Sequence, residues 1–223
     1  MSISKVLSEK NPLAVHRRKK MRDRLINREV TFLCPNCIGG ILFHDLGLKF
    51  LSPTVNLMML QDEFVDFILN LDDYLKGDFV FYKHKEYSCP CAYLKAEGLK
   101  DIKVHFTHYK DEKSAIEKWN ERTKRINKDN IFVFLTERDG ITEEKIKSLK
   151  KLNVKGLVVF TANDYPDIPY ALQIKKYQKD GEVGNILKKS YFNDSREYER
   201  YFDFVKWFNE ADGYNYDLSQ YIK

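Results

Sequence analysis

Short runs of β-branched and aromatic residues alternate with stretches of helical apolar spacing, and this alternation is the strongest constraint on the fold of the chain. Residues 131–136 form a continuous run, Ile-Phe-Val-Phe-Leu-Thr, of the kind found in strands that are buried on both faces. Strands that alternate with helices usually lie parallel, because each helix provides the crossover to the next strand. We therefore predict an α/β fold of three-layer, Rossmann-like type, whose mainly parallel sheet has helices on both faces and binds ligands where the strand order reverses. The predicted strands are 28–34, 102–109, 131–136, 154–161 and 172–174, and the predicted helices are 12–27, 38–46, 60–75, 111–126, 142–152 and 194–209.

A small β-rich insertion is predicted near residues 77–95, where two aromatic runs could form a hairpin with Cys89-Pro90-Cys91 at its edge. The 223 residues, 43% of them hydrophobic, are enough to build one principal domain. We divide the chain into an N-terminal basic helix at 1–27 that packs on the domain, a single α/β domain at 28–210, and a loosely packed C-terminal tail at 211–223.

The formal net charge is +5, and the basic residues cluster in the first helix at Arg17-Arg18-Lys19-Lys20, Arg22 and Arg24. We interpret this cluster as a solvated helix face and predict no nucleic-acid partner, since no nucleic-acid-binding motif accompanies it. A phosphate-bearing lipid or a sugar nucleotide would suit the charge equally well. No stretch reaches the roughly 18 apolar residues of a membrane span, and no apolar signal core precedes the basic cluster, so we predict a cytoplasmic protein without a transmembrane segment.

The turn Asn36-Cys37-Ile38-Gly39-Gly40 between the first strand and its helix is the leading candidate for a functional site. A thiol at the start of a helix lies near unpaired N–H groups and the positive end of the helix dipole, so we expect a lowered pKa for Cys37. Gly39 and Gly40 would let an anionic ligand approach the backbone N–H groups. The alternative is that the cysteine and glycines serve only to pack the strand against the helix.

Two other interpretations concern the cysteines. Cys34-Pro35-Asn36-Cys37 resembles the redox motif of glutaredoxins, but the long preceding helix and the strand order do not fit that fold. Adding Cys89 and Cys91 would provide four thiolates for zinc, although a one-residue spacer is shorter than usual, and we predict no metal site.

His108 is the candidate base. It lies three residues after His105 on a predicted strand, so the two imidazoles should face opposite sides and only one should reach the site. His108 is nearer the carboxyl end, where it could take a proton from Cys37 or from a substrate hydroxyl. A hydrogen-bonded histidine in the core is the alternative.

Trp119, Arg122 and Arg125 recur every three residues along the helix that follows His108. Such a stripe could bind a phosphate or carboxylate group. Alternatively, Trp119 belongs to the core and the arginines pair with neighbouring acidic residues.

A set of short motifs runs from residue 36 to residue 127: Asn36-Cys37-Ile38-Gly39-Gly40, Leu46-Gly47-Leu48, Ser52-Pro53-Thr54-Val55-Asn56, Pro90, His108-Tyr109, Ala115, Trp119, Arg122 and Arg125-Ile126-Asn127. Together they resemble a family of bacterial exopolysaccharide biosynthesis proteins of unassigned biochemical function. The resemblance covers roughly residues 30–161, with Cys34 and Ile38 as departures from the family pattern, and implies a role in making or decorating surface polysaccharide without naming a reaction.

The resulting hypothesis is a transferase, acyl or glycosyl, that acts on a sugar nucleotide, an acyl donor or a lipid-linked sugar. Cys37 and His108 would be catalytic, and the anion- or substrate-binding residues would be Asn36, Gly39, Gly40, Ser52, Thr54, Asn56, Trp119, Arg122 and Arg125. The alternatives are a noncatalytic sugar- or nucleotide-binding protein of the same pathway and a cluster that merely stabilises the fold. The sequence assigns neither a cofactor nor an oligomeric state.

Overall fold

A computed structural model describes residues 11–213 and 217–223. Two sheets are present in this part of the chain. A four-stranded sheet with the order β1-β5-β6-β7 is parallel throughout, and a three-stranded sheet with the order β2-β3-β4 is antiparallel. The strands are β1 (Thr31–Leu33), β2 (Asp78–Tyr82), β3 (Cys91–Lys95), β4 (Ile102–His105), β5 (Ile131–Thr136), β6 (Gly156–Thr161) and β7 (Ala171–Gln173); the α-helices are α1 (Pro12–Arg24), α2 (Ile38–Leu46), α3 (Gln61–Leu69), α4 (Leu71–Tyr74), α5 (Glu112–Thr123), α6 (Glu143–Ser148) and α7 (Phe204–Glu210).

The parallel sheet lies between two hydrophobic cores. Because side chains alternate along a strand, Phe132 and Phe134 of β5 belong to the core shared with α2 and α7. Val133 and Leu135 point the other way, into the core shared with α3, α5 and α6. Every residue of β5 and β6 is buried, as expected for parallel strands covered on both sides. The predicted α/β fold with helices on both faces and a β insertion is confirmed.

The insertion is larger than predicted, because β4 belongs to the second sheet. Residues 102–109 were expected to form a strand of the parallel sheet, and that expectation is wrong. Only a short turn, closed by the Leu99 N–H on the Ala96 carbonyl, separates β3 from β4, and a parallel connection would need a longer crossover. The burial of β4 also alternates, as in a sheet with one solvated face.

Three further expectations are corrected. The predicted helix at 194–209 is replaced by a 3₁₀ turn at Glu197–Arg200 and by α7, which starts where the Asp203 side chain accepts the Lys206 N–H. In the expected tail, Leu218 and Tyr221 are buried in the core beneath α7. The strand order of the parallel sheet follows the chain order without a reversal, so no switch point between its strands exists in the described residues.

Helix α1 presents only part of its basic run to solvent: Lys19, Lys20, Arg22 and Arg24 are exposed, whereas Arg18 is buried. Arg17 is largely buried and forms ion pairs with Asp45 and Glu199. Arg22 donates to the backbone carbonyls of His44 and Asp45 at the end of α2, where a cation complements the helix dipole. The charge run therefore fixes α1 against α2, close to the candidate site. The proposed division into domains stays a prediction.

Candidate functional site

The turn between β1 and α2 is fixed by internal contacts. Asn36 Oδ1 accepts the Ile38 N–H at 3.0 Å, and the Gly39 N–H donates to Cys34 Sγ at 3.1 Å. A Cβ atom on Gly39 would lie 2.8 Å from that sulfur, and one on Gly40 would lie 2.8 Å from Asn56 Oδ1. The glycines are therefore required by packing. Because two N–H groups of the first helical turn already have protein partners, the expectation that the Gly39 N–H holds an anion is not met.

Cys34 is a packing residue. Burial raises the pKa of its thiol to about 12, and the sulfur also donates to the Asn36 carbonyl at 3.3 Å. A thiol with so high a pKa is a poor nucleophile, which speaks against the glutaredoxin-like interpretation. In the described part of the chain, no three His, Cys, Asp or Glu side chains converge on a point that could hold a metal ion. The four cysteines therefore do not assemble the zinc site considered as an alternative.

His108 reaches the site through a segment that joins the two sheets. The N–H and carbonyl of Met58 pair with those of His105, at 2.8 and 2.9 Å, and the Met59 N–H donates to the Pro35 carbonyl at 2.9 Å. The Thr107 hydroxyl adds a hydrogen bond to the Asn56 carbonyl at 3.2 Å. The residues that follow β1 and β4 are thereby held against the same short segment. His108 lies in the turn after β4, and not on the strand as expected.

The structure brings Cys37 and His108 together. Cys37 Sγ lies 3.2 Å from His108 Nε2, close enough for direct proton transfer. Burial raises the pKa of the Cys37 thiol, and a hydrogen bond with the Thr107 side chain lowers it in part. The lowered pKa expected from the helix start is therefore not found, since loss of water contact outweighs the local dipoles. His105 lies elsewhere, packed against His84 and Tyr87.

The pair lines a cavity of about 500 Å³. Phe50 and Ile41 provide apolar surface, while Asn56, held at a positive φ of 66°, brings an amide beside Gly40. Charged groups of both signs complete the wall, and Lys189 Nζ forms an ion pair with Asp194 Oδ1 at 2.8 Å. This volume suits a small organic ligand. The full lining is Arg18, Cys37, Gly40, Ile41, His44, Asp45, Phe50, Asn56, His108, Lys189, Asp194 and Arg196.

Ser52 and Thr54 are structural hydroxyls. Both residues are fully buried and their hydroxyl oxygens lie 3.0 Å apart. Thr54 Oγ1 also accepts the Cys34 N–H, at 3.4 Å. Neither residue lines the cavity, and their hydroxyls support the end of β1; their contact with a substrate stays a prediction.

The predicted stripe of Trp119, Arg122 and Arg125, on α5 and just after it, does not line the cavity. Trp119 lies in the core against Phe67 and Phe79. Arg125 forms an ion pair with Glu121, as the alternative interpretation allowed. A phosphate-binding role for this stripe is not supported by its position.

Arg122 does not line the cavity but contacts residues that support its wall. Its buried guanidinium donates to the Val55 carbonyl at 2.8 Å and to the Tyr109 hydroxyl at 2.6 Å. The same group lies 5.2 Å from the centre of the Phe50 ring, in cation–π contact. Arg122 thus positions Phe50 and the segment that carries Asn56.

Sequence reasoning missed much of the cavity wall. Arg18 was assigned to a solvated face, whereas it is buried in the structure. Lys189, Asp194 and Arg196 come from a region that was partly predicted as helix, and no local motif marks them. His44 and Asp45 were recognised only as the end of α2.

The fold and the site together define a Rossmann-like α/β protein with a cysteine–histidine pair at the carboxyl end of an edge strand. Residues 9–209 match a family described as "Domain of unknown function (DUF1919)", and the chain belongs to this family. An uncharacterised protein of Haemophilus influenzae is similar, with 38% identity over 193 residues that span 86% of this chain and 90% of that protein. None of the helices in the described residues combines the length and the apolar content needed to cross a bilayer.

Proposed function

We propose that this protein is a group-transfer enzyme of surface polysaccharide biosynthesis in which Cys37 is the nucleophile and His108 is the base. The observation that carries the proposal is the 3.2 Å separation between Cys37 Sγ and His108 Nε2 on the wall of the cavity. A nucleophilic side chain within hydrogen-bond reach of a base is the arrangement that covalent catalysis requires. The resemblance to exopolysaccharide biosynthesis proteins supplies the pathway, and we place the reaction in the cytoplasm.

Acyl transfer suits this pair better than glycosyl transfer. Burial keeps Cys37 a neutral thiol, so its proton must leave as the sulfur attacks, and His108 Nε2 is placed to take it. With a thioester donor, the sulfur would bond to the acyl carbon while the donor's carbon–sulfur bond breaks, and His108 would return the proton to the departing thiolate. A sugar hydroxyl would then give its proton to His108 and attack the acyl-cysteine, which releases Cys37 as a thiolate that regains the proton.

The cavity favours a ligand with both apolar and anionic parts. Its lining carries three cations, Arg18, Lys189 and Arg196, against two acids; Lys189 pairs with Asp194, and Asp45 also pairs with Arg17 from outside the lining. Arg18 lies 3.9 Å from Asp45 and so shares that carboxylate with Arg17. An acyl donor that carries phosphate, a sugar nucleotide or a lipid-linked sugar would match this mixture.

A noncatalytic sugar- or nucleotide-binding protein is the second candidate. The raised pKa of Cys37 favours it, because a buried neutral thiol can simply line a binding pocket. The two candidates differ in whether Cys37 becomes covalently modified.

Mass spectrometry after incubation with short-chain acyl-coenzyme A separates them. We expect the mass of one acyl group on Cys37 in the wild type, and its loss in Cys37→Ser and His108→Ala. Cys89→Ser is the matched control, since Cys89 is also a partly exposed free thiol, and this variant should still be acylated. Acylation that persists in Cys37→Ser or disappears in Cys89→Ser would contradict the proposal.

A thermal-shift screen of the same variants with sugar nucleotides, coenzyme A and acyl-coenzyme A tests binding separately. A shift without covalent modification of Cys37 would favour the binding protein. No shift and no modification would remove the case for a ligand site at this turn.

A further inference from the structure

A short hairpin at residues 189–196 projects beside the mouth of the cavity. Lys189 and Arg196 pair in antiparallel fashion, and the Ser190 N–H donates to the Ser195 carbonyl at 2.8 Å. The N–H and hydroxyl of Ser195 both donate to Asn193 Oδ1, at 3.2 and 2.9 Å. The tip of this hairpin is therefore held in a defined shape by its own hydrogen bonds.

The tip exposes two large aromatic side chains. Tyr191 is 97% exposed and Phe192 is 79% exposed. The start of α1 is attached to this tip, because the Asn11 side chain accepts the N–H of Leu13, which is 57% exposed, and donates to the Phe192 carbonyl. Tight turns ordinarily carry polar residues or glycine, and a cluster of exposed apolar side chains marks a binding surface.

Cations surround this aromatic tip on both sides. One flanking cleft is lined by Lys176, Lys188, Lys189 and Arg200, and the other by Lys20, Arg24, Arg200 and Lys223, among other residues. Three acids line these clefts, and each has a basic partner: Glu197 binds Lys176, Glu199 binds Arg17, and Asp203 binds Arg24. Lys20 and Lys188 are exposed.

We propose that the hairpin is a docking element for the surface of an anionic lipid bilayer. Aromatic side chains favour the interface between headgroups and acyl chains, and nearby lysines and arginines attract anionic headgroups. A protein partner fits less well, because protein interfaces are depleted in lysine. A second copy of the chain would bring two cationic surfaces together, which like-charge repulsion opposes.

Docking through this hairpin would turn the cavity toward the membrane, since Lys189, Asp194 and Arg196 belong to both the hairpin and the cavity wall. A lipid-linked or lipid-derived substrate could then enter without leaving the bilayer surface. The inference does not rest on the chemistry proposed for Cys37, because it concerns only the tip and its flanking cations.

Cosedimentation with vesicles tests the inference on the full chain. We expect the wild type to bind vesicles of phosphatidylcholine mixed with phosphatidylglycerol, to bind vesicles of phosphatidylcholine alone much more weakly, and to dissociate in high salt. The double variant Tyr191→Ser, Phe192→Ser should bind the mixed vesicles at least about tenfold more weakly, since it loses the two side chains that enter the interface. Lys188→Ser should weaken binding by about threefold to tenfold and reduce the salt dependence.

Two matched controls locate the effect. Ile26→Ser removes an apolar side chain that is 83% exposed at the other end of α1, and Lys113→Ser removes an exposed lysine at the start of α5. Both should bind as the wild type does, and so should Cys37→Ser, which separates this inference from the proposed function. Circular dichroism would establish that each variant is folded.

Three results would overturn the inference. The first is failure of the wild type to bind the mixed vesicles, and the second is binding of the double variant that equals that of the wild type. The third is a loss of vesicle binding in Ile26→Ser equal to that in the double variant, which would mean that attachment is not specific to the hairpin. Self-association of the wild type without lipid, abolished in the double variant, would instead assign the hairpin to contact between copies of the chain.

Discussion

The contact between Gly39 and Cys34 predicts that Gly39→Ala destabilises the protein when Cys34 is present and stabilises it when Cys34 is replaced by alanine. A Cβ atom on Gly39 would lie 2.8 Å from Cys34 Sγ, whereas ordinary van der Waals contact begins near 3.4 Å. The sulfur is fully buried and cannot retreat into solvent. Overpacking of this kind costs about 1–3 kcal/mol, while alanine in place of glycine in a helix gains up to about 1 kcal/mol.

We therefore expect Gly39→Ala to lower the free energy of unfolding of the wild type by about 1–2 kcal/mol. In a Cys34→Ala background the obstructing sulfur is absent, so the same substitution should raise the free energy of unfolding by about 0.5–1 kcal/mol. The two changes are then coupled by about 2 kcal/mol.

Urea unfolding of the wild type, both single variants and the double variant, followed by circular dichroism, measures this coupling. Free energies that add to within about 0.5 kcal/mol would refute the argument that glycine is required here by the neighbouring sulfur. Because Cys37 is unchanged in the double variant, the acylation proposed for Cys37 can be measured in this variant and in the wild type.

Three other predictions concern the turn, the thiol and a buried carboxylate. Asn36→Ala should lower the free energy of unfolding by about 1 kcal/mol, because it removes the acceptor of the Ile38 N–H; Asn36→Asp keeps an acceptor and should retain most of that stability, and equal loss in both variants would contradict the role of this hydrogen bond. Alkylation of Cys37 by iodoacetamide, followed by peptide mass spectrometry, should have its midpoint at a higher pH than a free thiol, since burial raises its pKa; a midpoint below that of a free thiol would refute this. Burial alone would raise the pKa of Glu137, but hydrogen bonds from Asn163 and Tyr165 hold it below its ordinary value, so its contribution to stability is present above about pH 4.3 and is lost as the pH falls through the folded-state pKa. Glu137→Gln should flatten the pH dependence of urea unfolding in this acid range, and an unchanged pH dependence would contradict that assignment.

The individual strands and helices were predicted from the sequence better than the contacts between segments that are distant in the chain. The uniform apolar runs of β5 and β6 and the glycine that ends α2 are local signals, and they placed those elements almost to the residue. The sheet to which β4 belongs is decided instead by its short connection to β3. Hydrophobic periodicity indicates that a segment is a strand but not which strand it pairs with. Likewise, the pairing of Cys37 with His108 could be suspected from residue types, but the segment around Met58 that enforces it has no local signature.

The charged residues were the least predictable part of the site. The sequence alone could not say that Arg17 would meet Asp45 and Glu199, which are contributed by distant segments of the chain. A run of basic residues looks the same whether it faces water or an acidic patch. For the same reason Arg122 and Arg125 were assigned to a ligand, although Arg122 supports Phe50 and Arg125 binds Glu121.

The joining of the two sheets by Met58 and Met59 has a consequence for the order in which the protein matures. Cys37 and His108 are separated by 71 positions in the chain, and the contacts that align them require both sheets. A growing polypeptide on the ribosome therefore carries Cys37 without its partner until the second sheet has been made and docked. The cysteine–histidine pair is complete only in the finished molecule, so in partly synthesised or misassembled chains the proposed nucleophile would lack its base.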